Sequence, residues 1–267
     1  MSDVSNITSY VYDGETIHID TGFESSLGLY GSDFWTSVQE SIYEESTLNF
    51  IRGLTRDGYK CFIDVGAATG CMTLLAAIHG LKVIAVEPQE SVYRALVRNI
   101  ELNEKLKSQI ETEFALVGPQ KKVQTSQIFT PGAVGPLLQS KIANNFLSLI
   151  DLIERFTEKE SISIKIDIEG AEFPLFQERS TLEFLCKRKP LIYLALHPGF
   201  RKPLRQEDGF VKQVVWKLYA LIDVLLFYKS VQNYAEICIP SDSKRLKLKG
   251  LLYSLWRDNK EFVLRFP

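Results

Sequence analysis

Hydrophobic positions along this chain repeat with two periods, and each change of period marks an element. Cys61-Phe62-Ile63-Asp64-Val65 is a short apolar run that reads as a buried strand, and Leu81 to Val86 reads as a second. Between them Gly66-Ala67-Ala68-Thr69-Gly70 is a turn, and Cys71 to His79 has helical spacing with Leu74 and Ile78 four apart. Ser91 caps the next predicted helix, with Val92, Leu96 and Ile100 on one face. A strand–helix–strand–helix unit of this kind calls for an α/β fold with a parallel sheet.

Further along, Ile110 to Val117 predicts a third strand, Lys122 to Phe129 a hairpin partner, and Pro131 to Pro136 a loop. Leu138, Ile142, Phe146, Leu149, Ile153 and Phe156 step by four or three and predict the clearest amphipathic helix. In Ser161 to Ile168 four isoleucines alternate with Ser163, Lys165 and Asp167, a strand pattern; Glu169-Gly170 turns it into a helix ending near Cys186. Leu191 to Leu196 is a fifth strand running into His197-Pro198-Gly199. At the start, a hairpin is expected around Asp13-Gly14, then a Gly/Ser-rich connector from Gly22 to Ser37 placed to cover a ligand, then a helix from Gln39 to Thr55. The tail predicts a helix from Gly209 to Tyr228, a short strand Ala235 to Ile239, a basic helix Ser243 to Trp256 and a last strand Glu261 to Phe266. Trp216, Tyr219, Phe227 and Tyr228 read as core. The organisation expected is an N-terminal extension over 1–44 and one domain over 45–267.

Bulk properties narrow the function. Lys plus Arg is 31 against 33 for Asp plus Glu, a balance that argues against a nucleic-acid backbone as main partner. The four cysteines, at 61, 71, 186 and 238, form no Cys-x-x-Cys pair and read as reduced core thiols, without a base at catalytic spacing. The first residues are polar and acidic, unlike a signal peptide. The most apolar stretch, Val214 to Tyr228, is interrupted by Lys217 and Asp223 and is too short for a bilayer. A cytoplasmic protein is the expectation.

Two stretches carry chemistry. The turn after the first strand has the spacing acid-x-Gly-x-small-x-Gly, not the Gly-x-Gly-x-x-Gly that suits a pyrophosphate. An Asp64 carboxylate there repels phosphate and suits a cationic nucleoside such as S-adenosylmethionine, while Glu87 at the tip of the second strand can accept two ribose hydroxyl protons. The plain alternative is an ordinary tight turn. The second stretch is Lys165-Ile166-Asp167-Ile168-Glu169-Gly170-Ala171-Glu172, where alternation sets Lys165, Asp167 and Glu169 on one strand face. Charges on a central strand are unfavourable unless paired or used; Lys165 could simply pair with an acid, and Glu172 favours a helix's first turn. His197 sits at the ligand-facing end of the fifth strand, whereas His18 and His79 read as ordinary hydrogen-bonding side chains. Tyr43-Glu44-Glu45 and Lys244 to Lys249 read as solvated faces. Asp167, Glu169, Glu172 and His197 are also ligand types for a divalent ion, although spacing alone does not make them converge, and no metal is expected.

Asp64-Val65-Gly66-Ala67, Thr73-Leu74, Val86-Glu87-Pro88, Tyr93, Leu96 and Asn99, followed by the Lys165–Glu172 stretch, resemble the FkbM-type methyltransferases over roughly residues 45 to 200. The resemblance implies a Rossmann-like doubly wound, mainly parallel seven-stranded sheet with an antiparallel last strand. It also implies S-adenosylmethionine-dependent O-methyl transfer to a hydroxyl of a sugar, glycan or similar small acceptor. Asp64, Gly66, Ala67, Gly70, Glu87 and Pro88 then hold the cofactor, and His197, Asp167 and Lys165 serve catalysis, His197 being the first choice of base. Two positions depart from the pattern: Ala68 replaces a frequent asparagine, and Ala195 stands where many members carry glutamate two residues before the histidine. A non-catalytic S-adenosylmethionine-binding subunit is the rival expectation.

Overall fold

The computed structural model describes residues 6–119, 141–168, 170–198, 210–241, 244–257 and 259–267. Its strands form a seven-stranded sheet, in the order Glu236–Cys238, Glu261–Arg265, Leu191–Ala195, Ile162–Ile166, Cys61–Val65, Lys82–Glu87 and Ile110–Phe114, and two small two-stranded sheets. The chain divides into two compact units, one of Met1–Leu116, Pro136–Phe146 and Lys159–Ser163, the other of Val117–Gly135, Leu147–Glu158 and Ile164–Pro267.

In the first unit, β1 (Ile7–Tyr12) and β2 (Glu15–Asp20) pair antiparallel around Asp13-Gly14. Both turn residues have positive φ (47° and 84°), the conformation that matches a hairpin turn to strand twist. The expected connector is two helices, α1 (Thr21–Ser26) and α2 (Gly31–Gln39). Its Gly/Ser composition hides a working cap, since Asp20 accepts the N–H of Phe23 at 2.9 Å. The next helix, α3 (Glu45–Leu54), starts later than expected because Ser41 and Glu44 take left-handed conformations. Then β3 (Cys61–Val65), α4 (Cys71–Ile78), β4 (Lys82–Glu87), α5 (Glu90–Glu101), α6 (Glu104–Lys107) and β5 (Ile110–Phe114) give the anticipated repeat, with β3–β4 and β4–β5 parallel. Gln89 rather than Ser91 precedes the α5 helix. The third expected strand is split, and its second piece is β6 (Leu116–Val117).

The long amphipathic helix is the largest correction. Leu138 lies outside the described residues, as do the hairpin partner and loop expected over 122–136. Ile142 forms an isolated bridge with Gln89, and β7 (Phe146–Leu147) pairs with β6. Only α7 (Leu149–Ile153) is helical. Ser148 and Asp151 form a reciprocal capping box that starts the helix at Leu149, while the backbone before it is engaged as strand.

β8 (Ile162–Ile166), which belongs to the second unit from Ile164 on, is followed by two helices where one was expected, α8 (Glu172–Leu175) and α9 (Arg179–Arg188). Next come β9 (Leu191–Ala195), α10 (Phe210–Val231), β10 (Glu236–Cys238), α11 (Leu248–Trp256) and β11 (Glu261–Arg265). β11 runs antiparallel to β9 and to β10. The basic helix begins at Leu248, not Ser243, because Arg245 is held in a bridge to Cys238 and an ion pair with Glu236. Phe227 is buried, but Trp216 and Tyr228 are only half-buried and Tyr219 is exposed. Leu218, Leu221, Ile222, Leu225 and Leu226 are exposed with it, so α10 is apolar on both its covered and its bare sides. Among the described residues no helix is long and apolar enough to cross a membrane.

Candidate functional site

The first site is the turn that joins β3 to α4. Gly66, Ala68 and Gly70 have φ of 82°, 50° and 99°, a left-handed series that folds the chain back over the strand tips. Four of the turn's five N–H groups donate to nearby acceptors. The N–H groups of Gly66 and Ala67 both donate to the Val86 carbonyl, at 3.0 and 3.1 Å, and that of Gly70 donates to the Ala67 carbonyl. The Ala68 N–H donates to Glu87 Oε2 at 3.1 Å, and Glu87 Oε1 accepts the Gln89 N–H at 3.0 Å. A phosphate-binding nest needs such amides aimed outward, so this turn is not one.

Glu87 is thus pinned at both oxygens. Asp64 is wholly buried and accepts the Thr73 hydroxyl at 2.7 Å, which ties the tip of β3 to α4. Gly66, Ala68 and Pro88 are part-exposed, Ala67 and Gly70 buried. A Cβ at Gly70 would meet Leu96 Cδ1 at 2.8 Å, so this glycine serves close helix packing as well as the turn. Beside Glu87, residues 141–143 run as a strap: Ala143 N–H donates to the Pro88 carbonyl and Glu90 N–H to that of Lys141, both at 2.8 Å.

The second site is built from the end of β8 and the end of β9. Lys165, 5 % exposed, is the last polar residue of β8; Asp167 lies beyond the strand end, and Glu169 is outside the described residues. The expected single strand face therefore gives way to a loop. Glu172 closes that loop: fully buried, it accepts the N–H of Ile168 at 3.2 Å through Oε1 and that of Gly170 at 2.8 Å through Oε2. The same Oε1 lies 3.0 Å from His197 Nδ1. A carboxylate only accepts, so Nδ1 carries the hydrogen and Nε2 is the ring's basic nitrogen. Nε2 is 3.9 Å from Asp167 Oδ1, and Lys165 Nζ is 3.5 Å from Asp167 Oδ2. One ligand atom each of Asp167, Glu172 and His197 lies within 4.8 Å of the others. The structure thus brings together His197, Asp167 and Lys165, and adds Glu172, which was expected to favour a helix start or to be an ion-ligand type, not to be the partner of His197.

The other candidates have local partners. His18 Nδ1 bonds Ser9 Oγ at 2.9 Å, and His79 Nε2 bonds Asp13 at 3.0 Å. The Tyr43 ring packs edge-on against Phe34, and burial pushes its phenol well above the ordinary range. Burial likewise pushes the Cys186 thiol up. Sequence reading missed Glu24, a buried carboxylate on α1 that reaches Asn99 on α5 at 2.8 Å; their separation along the chain left no local signal.

Solved structures that this chain is similar to include a provisionally named O-methyltransferase of Klebsiella pneumoniae, with 11 % identity, TM-score 0.46, and coverage of 91 % of this chain and 86 % of that one. Another is the O-methyltransferase of Bacillus cereus in complex with SAH: 13 % identity, TM-score 0.44, coverage 84 % and 80 %. A third is geranyl diphosphate C-methyltransferase of Streptomyces coelicolor A3(2), solved with Mg2+, geranyl-S-thiolodiphosphate and S-adenosyl-L-homocysteine: 13 % identity, TM-score 0.40, coverage 90 % and 82 %. No curated protein matches the sequence. The family profile "Methyltransferase FkbM domain" matches residues 64–215, more than half of the chain, from the acid at the tip of β3 past His197 and into α10. The chain therefore belongs to the FkbM methyltransferases, a family of class I S-adenosylmethionine-dependent enzymes.

Proposed function

We propose that this methyltransferase is an O-methyltransferase, and that its acceptor is a hydroxyl of a sugar, glycan or similar small molecule. The observation that carries the reading is the buried Glu172 carboxylate holding His197 through Nδ1 at 3.0 Å. A hydroxyl is a poor nucleophile until a base takes its proton, and an imidazole fixed in one tautomer is suited to that task. His197 is the base, Glu172 orients it and steadies the imidazolium, and Asp167 and Lys165 hold the acceptor by hydrogen bonds.

The donor site suits a nucleoside that carries no phosphate, because four of the turn's five N–H groups are already engaged. Glu87 would accept the ribose hydroxyls. Gly66, Ala67 and Gly70 would lie against the nucleoside with Pro88 at its edge, and Asp64 would set a negative field at the amino-acid end. When bound, S-adenosylmethionine supplies an electrophilic methyl on a sulfonium. The chain's part is to place the acceptor oxygen in line and keep water away.

The test is incubation with radiolabelled methyl donor and a panel of glycans, lipids and small molecules. Label on an acceptor oxygen, lost in His197→Ala, supports the proposal; cofactor binding with no label on any acceptor favours a non-catalytic subunit. A second reading follows from the 4.8 Å grouping of Asp167, Glu172 and His197, which could hold a divalent ion that polarises the acceptor. Both Glu172 oxygens already accept backbone N–H groups, and Lys165 places a cation beside Asp167, which favours the metal-free mechanism. Activity that survives exhaustive chelation eliminates the ion.

A further inference from the structure

We propose that Glu24 is a positioning residue for the donor site, acting by holding the Asn99 carboxamide in the one orientation that grips the 66–70 turn. The inference rests on the reading of that turn as the donor cradle. Asn99 is 1 % exposed, and its amide is fully engaged. Nδ2 donates to Glu24 Oε1 at 2.8 Å and to the Thr69 carbonyl at 3.0 Å, while Oδ1 accepts the Asp20 N–H at 3.2 Å. A flipped amide would set its oxygen against two acceptors and its N–H groups against a donor, so Glu24 and Thr69 together fix one orientation.

Thr69 precedes Gly70, the point where Leu96 of α5 presses on the turn. Leu96 and Asn99 are three residues apart and share that helix face. The turn is therefore clamped twice from α5, once by packing and once by the amide. Glu24 is in turn fixed by Trp35, whose Nε1 donates to Oε2 at 2.8 Å, and by the Gly31 N–H at 3.3 Å. Every donor to this carboxylate in the network is neutral, an unfavourable setting for a buried acid. Burial raises its pKa against the pull of these bonds. For stability alone, an apolar side chain on α1 would serve better.

The experiment is calorimetric titration of S-adenosylhomocysteine into the full chain and four variants, each with its melting temperature. Glu24→Gln is expected to weaken binding about tenfold, the equivalent of one hydrogen bond to a charged group. Asn99→Ala should weaken it at least as much. The double variant should bind no worse than Asn99→Ala, because Glu24 acts through that amide. Trp35→Phe, which removes a Glu24 donor but leaves the Asn99 contact, should lower the melting temperature and keep affinity within about twofold. Unchanged affinity in Glu24→Gln, or additive losses in the double variant, overturns the proposal. If Glu24→Gln does not fold, Asn99→Ser against Trp35→Phe decides: equal affinity in the two overturns it. A folded parent chain that does not bind S-adenosylhomocysteine refutes the cradle reading instead.

Discussion

The turn around Glu87 and the cluster around His197 both sit at carboxyl ends of strands, yet they are built on opposite principles. At Glu87 the backbone is saturated: carbonyl, amide and carboxylate close on one another within 3.1 Å. In the His197 cluster the bond to Glu172 is short, at 3.0 Å, whereas Asp167 lies 3.9 Å from His197 and 3.5 Å from Lys165. A seat for a ligand of fixed shape gains from rigidity, because ordering has been completed before binding. A group that passes a proton needs one fixed side and one side open to its substrate.

Replacements should separate the two regions, and the largest effect is expected at the open side. His197→Ala should lower the rate of methyl transfer by roughly 10²- to 10⁴-fold while S-adenosylhomocysteine affinity stays within about twofold. Rates with the labelled donor and calorimetry read the two arms, and a parallel loss of affinity would break the distinction. Next, Glu87→Ala should weaken cofactor binding roughly 10- to 100-fold, the loss expected when charge-assisted hydrogen bonds go, with turnover at saturating cofactor little changed. Unchanged affinity would remove Glu87 from the donor site.

A smaller effect is expected at Ala68, whose φ of 50° is strained for a residue with a Cβ. Ala68→Asn should stabilise the protein by about 0.5–1 kcal/mol, seen as a raised denaturant midpoint, because asparagine tolerates this conformation. The smallest effect is a pH dependence. Burial raises the Glu24 carboxyl in the folded state, so the folded chain binds that proton more tightly than the unfolded one. Its contribution is therefore complete below the ordinary glutamate range and lost as pH rises to the raised value. Glu24→Gln should flatten that part of the stability–pH curve, measured by denaturation at several pH values.

How much of this could be read beforehand depended on distance along the chain. Asp64, the Gly66–Gly70 turn and Glu87 lie within one strand–helix–strand unit, and period and turn chemistry sufficed. Between 138 and 156 the same reasoning failed, since residues three or four apart were apolar for two reasons. Phe146 belongs to a strand, and the helix begins only at the Ser148–Asp151 cap. The α1–α2 region was obscured by its glycines and serines, although Asp20 caps it and Glu24 anchors it. Glu172 was visible as an acid but not as the partner of His197, which lies 25 residues on. In α10, apolar residues all round suggested burial, whereas one side, from Leu218 to Leu226, is bare.

The self-contained turn has a consequence for selectivity in a crowded cell. Adenine di- and triphosphates and the nicotinamide dinucleotides present the same adenosine moiety, but their anionic tails would meet carbonyls and carboxylates instead of outward N–H donors. If the turn holds the donor as proposed, competition from that pool is disfavoured by the backbone itself, and discrimination among acceptors falls to other parts of the chain.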